Sequence, residues 1–162
     1  MCGGIVYNLE RVPEKELNKF YSQKEIENFK KRGYIASFFW DKNPILPAEK
    51  DGKISLFEWG NRDKKNELPQ TGWAKEESLE KGRWNWLKPE KVNIPAEKGY
   101  EKKVWFDIDG GIEGIIVKKN KDEKIYMVTK EADNKYLKET KHDRMPIGKL
   151  SNFNKIKRKE KK

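Results

Sequence analysis

Two residues with chemistry near neutral pH occur once each in this sequence, Cys2 and His142. Cys2 directly follows the first methionine, in MCGG. Removal of that methionine leaves a cysteine with a free α-amine, so two nucleophiles sit on adjacent carbons. The amine titrates near ~8 and the thiol near ~8.5, and both have reactive fractions near neutrality. An amine condenses with an aldehyde to an imine. A thiol one carbon away closes onto that imine as a thiazolidine. An interior cysteine cannot do this, because its nitrogen is an amide. A lone cysteine also serves as a small buried hydrophobe, and position alone does not separate the two roles. His142 lies in KHDRMPIG. Histidine is a proton shuttle near neutral pH. Its charged neighbours and the Met145-Pro146 stop place it on a loop after a helix, where function tends to gather. A structural or surface histidine is the alternative.

Lys and Arg number 37 against 27 Asp and Glu, a formal net charge of +10. That excess suits polyanions, nucleic acid first and an anionic membrane surface second. The alternative is a lysine-rich surface with no such partner. Cations neutralise phosphates and aromatic rings stack on unpaired bases. Trp59, Arg62, Trp73, Lys75, Arg83 and Trp84 fall in a region rich in both types. Trp59 and Trp105, at strand positions, are expected in the core. One cysteine excludes an internal disulfide and a cysteine-rich zinc site. Nothing in the sequence implies a metal or an organic cofactor. No apolar run reaches membrane-spanning length, and the first residues lack a signal-peptide plan. The expectation is a cytoplasmic protein, nucleoid-associated when bound to DNA, that needs no membrane and no obligate protein partner and acts as a monomer.

The elements that position these residues are legible in outline. MCGGIVY reads as a short buried strand. VPEKELNKFYSQKEIENFKKRG reads as an amphipathic helix, with Pro13 in its first turn, Leu17, Phe20, Tyr21 and Phe29 near one face, and Gly33 as its stop. IASFFWDKNPILPAEKDG reads as strand, loop and turn, and KISLFEWG as a strand returning from Asp51-Gly52. NRDKKNELPQTG is a polar loop, and WAKEESLEKGRWNWL holds a short helix. From Val92 onward strands dominate: KVNIP, KKVWFDI, GIEGIIVKK and KIYMVTK, with a turn over Asn120–Glu123 between the last two. ADNKYLKET reads as a helix. A single domain over residues 1–150 is expected, followed by a flexible basic tail over residues 151–162. The sum is an α+β domain dominated by antiparallel strands.

MCG at the start and HDRMP near the end are the pairing found in the SRAP family, the SOS response-associated peptidase domains, which this sequence resembles. FEWG, ending at Gly60, is similar to the family's Trp-Gly strand end. WAKEESL, from Trp73 to Leu79, is similar to its Asn-Ala-Arg-Ala-Glu segment. IPAEKGYEK is similar to its Pro-Ala-Asp-Gly-Phe-Tyr-Glu segment, and YMVTKEADNKYLKETKHDRMP to the approach to its histidine. The order is the family's over nearly the whole chain. The resemblance implies a curved, barrel-like, mostly antiparallel sheet with a few peripheral helices. It also implies covalent capture of abasic sites in single-stranded DNA, with the ring-opened aldehyde trapped as a thiazolidine. In that role Cys2 is the nucleophile, Glu101 opens the sugar and manages imine protons, and His142 assists proton transfer. A carboxylate beside a cationic iminium also has an electrostatic reason. Lys75 and Arg144 occupy basic motif positions suited to phosphates.

The sequence departs from the family at several points. Gly4 stands where members carry arginine. Trp73 stands at the motif asparagine and Lys75 at the motif arginine, with Asn61, directly after the Trp-Gly, offered as a substitute for the asparagine and Arg62 as a further DNA contact. Glu113, in DGGIEGI, is a second candidate for the motif glutamate, although Glu101 keeps the spacing without a gap. Two other functions fit the same residues. One is a noncatalytic single-stranded DNA-binding module, indifferent to abasic sites and to Cys2→Ala. The other is a thiol autopeptidase acting on Met1, in which Glu101→Gln retains that methionine.

Overall fold

The computed structural model describes residues 2–156. Its strands are β1 (Gly4–Asn8), β2 (Tyr34–Phe38), β3 (Ile45–Lys50), β4 (Lys53–Trp59), β5 (Trp73–Lys75), β6 (Glu90–Ile94), β7 (Lys98–Glu101), β8 (Val104–Lys119), β9 (Asp122–Glu131), β10 (Arg144–Pro146) and β11 (Gly148–Lys155). Its helices are α1 (Glu14–Phe20), α2 (Gln23–Arg32), α3 (Glu76–Glu80) and α4 (Asn134–Thr140). The protein is an α+β domain of mostly strands. β9, β4, β3, β6 and β8 close a five-stranded barrel, because β8 pairs with both β6 and β9. The remaining strands are peripheral: β7, β1 and β2 extend from β8, β11 also pairs β8, and β5 and β10 pair β9. Most pairings are antiparallel, but β4 and β5 run parallel to β9.

β8 organises this arrangement. The sequence suggests two strands, KKVWFDI and GIEGIIVKK, yet they are one strand of 16 residues. Its first half pairs β7 and β11, and its second half pairs β6 and β9. Gly110 and Gly111, with φ of 81° and 89°, lie where the strand passes from one set of partners to the other. That backbone region is open to glycine and costly for other residues. The turns at Asp51-Gly52 and after Lys119 form as expected, each with a positive φ.

The predicted long helix is two helices. Tyr21 is extended, and Ser22 caps α2: its hydroxyl accepts from the Glu25 N–H while the Glu25 carboxylate accepts from the Ser22 N–H. This reciprocal S-x-x-E box starts a helix wherever it forms, even inside an amphipathic run. Gly33 ends α2 in the left-handed conformation, as expected.

The largest core cluster lies between α1, α2 and the barrel, around Ile5, Leu17, Ile26, Leu46, Trp59 and Ile125. A second cluster, with Leu68, Trp84, Tyr126 and Val128, packs under the loop region between β4 and β6. β9 therefore buries both faces, which is why KIYMVT is apolar without alternation. The tail expectation needs correction at its start, since Ser151 to Lys155 belong to β11 and pair with β8. Residues 157–162 lie outside the described part. Among the described residues no helix is long and apolar enough to cross a membrane.

Candidate active site

Cys2 enters β1 under tight control of its backbone. The Gly3 N–H donates to the Tyr100 carbonyl (2.8 Å), and the Gly3 carbonyl accepts from the Phe39 N–H (3.0 Å). The Trp73 indole Nε1–H donates to the Cys2 carbonyl (3.0 Å). β7, the end of β2 and β5 thus converge on this segment. The Cys2 side chain is fully buried, and its thiol donates to the Gly4 carbonyl (3.1 Å). Burial pushes the thiol up to about 12. The Glu101 carboxylate nearby adds to the rise. The thiol is therefore neutral at physiological pH, and proton removal has to accompany any attack by sulfur.

Glu101 ends β7 and is buried at 6% exposure. The Tyr136 hydroxyl of α4 donates to its Oε1 (3.3 Å). Tyr136 is itself fully buried. Burial raises its phenol far above the usual range, with the nearby Cys2 and Glu101 adding to the effect. Cys2, Glu101 and Tyr136 therefore share one buried site containing a thiol, a carboxylate and a phenol.

The loop carrying His142 adjoins this site. The Lys102 ammonium, directly after Glu101, donates to the Lys141 carbonyl, directly before His142 (3.2 Å). The His142 N–H donates to Thr140 Oγ1 (3.2 Å), and the Thr140 hydroxyl donates to the Tyr136 carbonyl (2.8 Å). His142 Nδ1 accepts from the Arg144 N–H (3.1 Å), which leaves Nε2 to carry the ring proton of the neutral form. The Glu101 hairpin is unusual for its sequence. Its two turn residues, Lys102 and Lys103, have φ of 46° and 69°. Such a turn favours Asn-Gly, and left-handed backbone costs other L-residues about 1–2 kcal/mol each.

The predicted DNA-contact residues divide into two groups. Trp73 lies against the Cys2 backbone and packs on Phe39 and Trp59. Lys75, exposed, pairs with Thr129 in β9, and the Arg144 guanidinium donates to the Thr129 carbonyl and hydroxyl. Lys75 and Arg144 thus flank one residue. Arg144 also makes a two-pronged ion pair with Glu77 (2.7 and 3.0 Å), so a phosphate there has to displace Glu77. Arg62 sits over the Phe39 ring and donates to the Asp41 and Lys42 carbonyls. Asn61 is buried, and its amide is spent within its own loop, donating to the Leu68 carbonyl and accepting from the Asp63 N–H. Its side chain faces inward. Trp59 and Trp84 are in the core. Trp105, expected there too, is half-buried and packs against Phe38 and Tyr100 instead.

Glu113 pairs with Asn93 on the barrel and lines a shallow cleft with Glu49 and Lys91. Glu101 is the candidate that shares the buried site with Cys2. Gly4 also gains a local reason, because a Cβ there would lie 2.2 Å from the Phe38 ring. Tyr136 escaped the sequence reading. Its available signal was Asp133, which caps α4 by accepting from the Tyr136 N–H and so fixes the tyrosine in the first turn of the helix before His142. Among the described residues no cluster of His, Cys, Asp and Glu is arranged to hold a metal ion. No family model matches this chain, and no curated protein matches it closely enough to count as a relative.

Proposed function

We propose that the chain captures aldehydes of abasic sites in single-stranded DNA through Cys2, once Met1 has been removed. The observation that carries this reading is the shared buried site of Cys2, Glu101 and Tyr136 beside the His142 loop. The free amine adds to the ring-opened aldehyde carbon, and loss of one water gives the imine. The thiol then adds across the C=N bond, its sulfur bonding to carbon and its proton passing to nitrogen. Nothing is oxidised or reduced. Glu101 serves as acid and base for the water loss and stabilises the cationic iminium, while His142 relays protons at the rim. The neutral thiol suits this order, because the amine attacks first and sulfur arrives still carrying its proton.

The test is a denaturing gel with a single-stranded oligonucleotide holding one abasic site, run after intact-mass analysis confirms loss of Met1. A heat-stable shifted band from wild type and none from Cys2→Ala is the expected result. No band from correctly processed protein sinks the capture reading. The noncatalytic binding module then takes its place, a reading that the complete burial of the thiol favours.

A further inference from the structure

The peripheral sheet has two different faces. One buries Ile5, Tyr7, Ile35 and Phe106 against the core. The other carries a cross-strand row. Phe38 pairs with Gly4, Gly4 with Tyr100, and Tyr100 with Trp105, and directly paired residues project to one face. The row is therefore aromatic except at Gly4, where the Phe38 ring covers the glycine. Trp40 stacks on Phe38 with centroids 4.8 Å apart and planes 21° from parallel. Trp40 is 61% exposed and Tyr34, on the same strand face as Phe38, is 42% exposed. Phe38, Trp105, Tyr34 and Lys98 border a largely apolar groove of about 520 Å³. Exposed rings gathered in this way mark a binding surface.

We propose that this face is a stacking platform for unpaired bases of single-stranded DNA, next to the nucleophile. The inference rests on the capture reading for its choice of ligand, and two further observations favour it. The Trp40 ring lies 3.1 Å from where a Cβ on Gly3 would be, so the platform begins one residue from Cys2. Lys98 borders the groove, and exposed Lys103 and Lys42 lie close to it in the chain, three residues after Tyr100 and two after Trp40. Of the carboxylates at the border, Glu97 lines the groove, Asp107 is engaged by Lys98 and Asn152, and Asp41, directly after Trp40, accepts from the Phe38 N–H (2.9 Å). Exposed ring faces with ammonium groups around them match bases joined by phosphates.

The test uses the full chain and intact dT20, which has no abasic site, so crosslinking cannot contribute. Trp40→Ala is expected to weaken binding roughly 5- to 100-fold at fixed salt, the loss of one stacked base, with the salt slope unchanged. Trp40→Phe is expected to stay within about threefold of wild type, since a π-face remains. Unchanged circular dichroism and thermal melting show that the exposed position does not affect folding. The proposal fails if Trp40→Ala and the Trp40→Ala/Tyr34→Ala double variant bind dT20 like wild type. It also fails if duplex binding drops equally, or if the substitutions change only self-association measured by light scattering. A protein that forms no abasic adduct yet loses dT20 on Trp40→Ala overturns the capture reading and keeps the platform. An adduct-forming protein indifferent to Trp40 does the reverse.

Discussion

Tyr136 is the residue whose role is most sharply testable, because its hydroxyl can be deleted without altering the packing of its ring. Tyr136→Phe removes the O–H that donates to Glu101 and leaves the edge contact with Phe106 in place. If Glu101 moves protons during capture, losing this donor removes one of the contacts that hold its carboxylate in place. We expect the single-turnover rate of adduct formation to fall about tenfold, and Glu101→Gln to fall ~10²- to 10⁴-fold, the usual span for a general acid–base group. A Tyr136→Phe rate equal to wild type would make the phenol structural only. At this scale the sequence singles out Cys2 and His142 as lone residues of their types, and Glu101 as a candidate only through the motif resemblance. It could not expose Tyr136, because a tyrosine in a seven-residue helix looks like any core aromatic until its hydroxyl meets a carboxylate. It also promoted Asn61, whose amide satisfies its own loop, a demand on buried polar groups that only the folded chain reveals.

At the scale of elements, β3 shows what pattern reading missed and why. ILPAEK carries Pro47, and proline argues against a paired strand. Pro47 nevertheless pairs with Leu56 of β4, and the Leu56 N–H points elsewhere, donating to the Glu16 carboxylate of α1 (3.0 Å). The pair is one that exchanges no backbone hydrogen bonds, so the missing proline N–H costs nothing there. The same contact explains a buried glutamate in a short helix: it satisfies a strand edge and holds α1 on β4. Glu16→Ala strands the Leu56 N–H in the core, where an unmade bond costs about 1–3 kcal/mol. We expect a lower urea midpoint by that amount with an unchanged m-value and unchanged dT20 binding. A shift within a few tenths of a kcal/mol would mean that water replaces the carboxylate. The strands after Val92 were legible because their apolar runs and turn residues agree. Their merger into β8 was not, since Gly110-Gly111 reads as a turn and acts as a hinge within one strand.

For the whole molecule, the distribution of perturbed groups sets the pH range of stability. Burial raises the Cys2 thiol to about 12 from an ordinary 9.0, and the Tyr21 phenol to about 12 from 10.0. It also raises Tyr7, Tyr126 and Tyr136. Each of these groups loses its proton more readily in the unfolded chain than in the folded one. Their contribution is complete below the unfolded values and is lost as pH rises toward the folded ones. On the acid side the Arg144 hydrogen bond lowers Glu77 to about 2, and Asn152 and then Lys98 lower Asp107. These carboxylates contribute above their unfolded values, and the contribution fades as pH falls through that range. Both are substantially exposed, so solvent screens them and the acid arm is shallow. The alkaline arm is steep, because each unmatched group adds about 1.4 kcal/mol per pH unit once its unfolded form ionises. Stability should therefore be flat between about pH 5 and 9, decline gently below, and fall sharply above about pH 10. Urea midpoints measured across that range check the shape. Cys2→Ala should delay the alkaline onset, because the thiol is the first of these groups to ionise when unfolded. A protein equally stable at about pH 7 and 10.5 would mean that the buried thiol and phenols reach solvent in the native state. In that case the neutral, proton-carrying thiol on which the proposed order of attack depends would have to be abandoned with them.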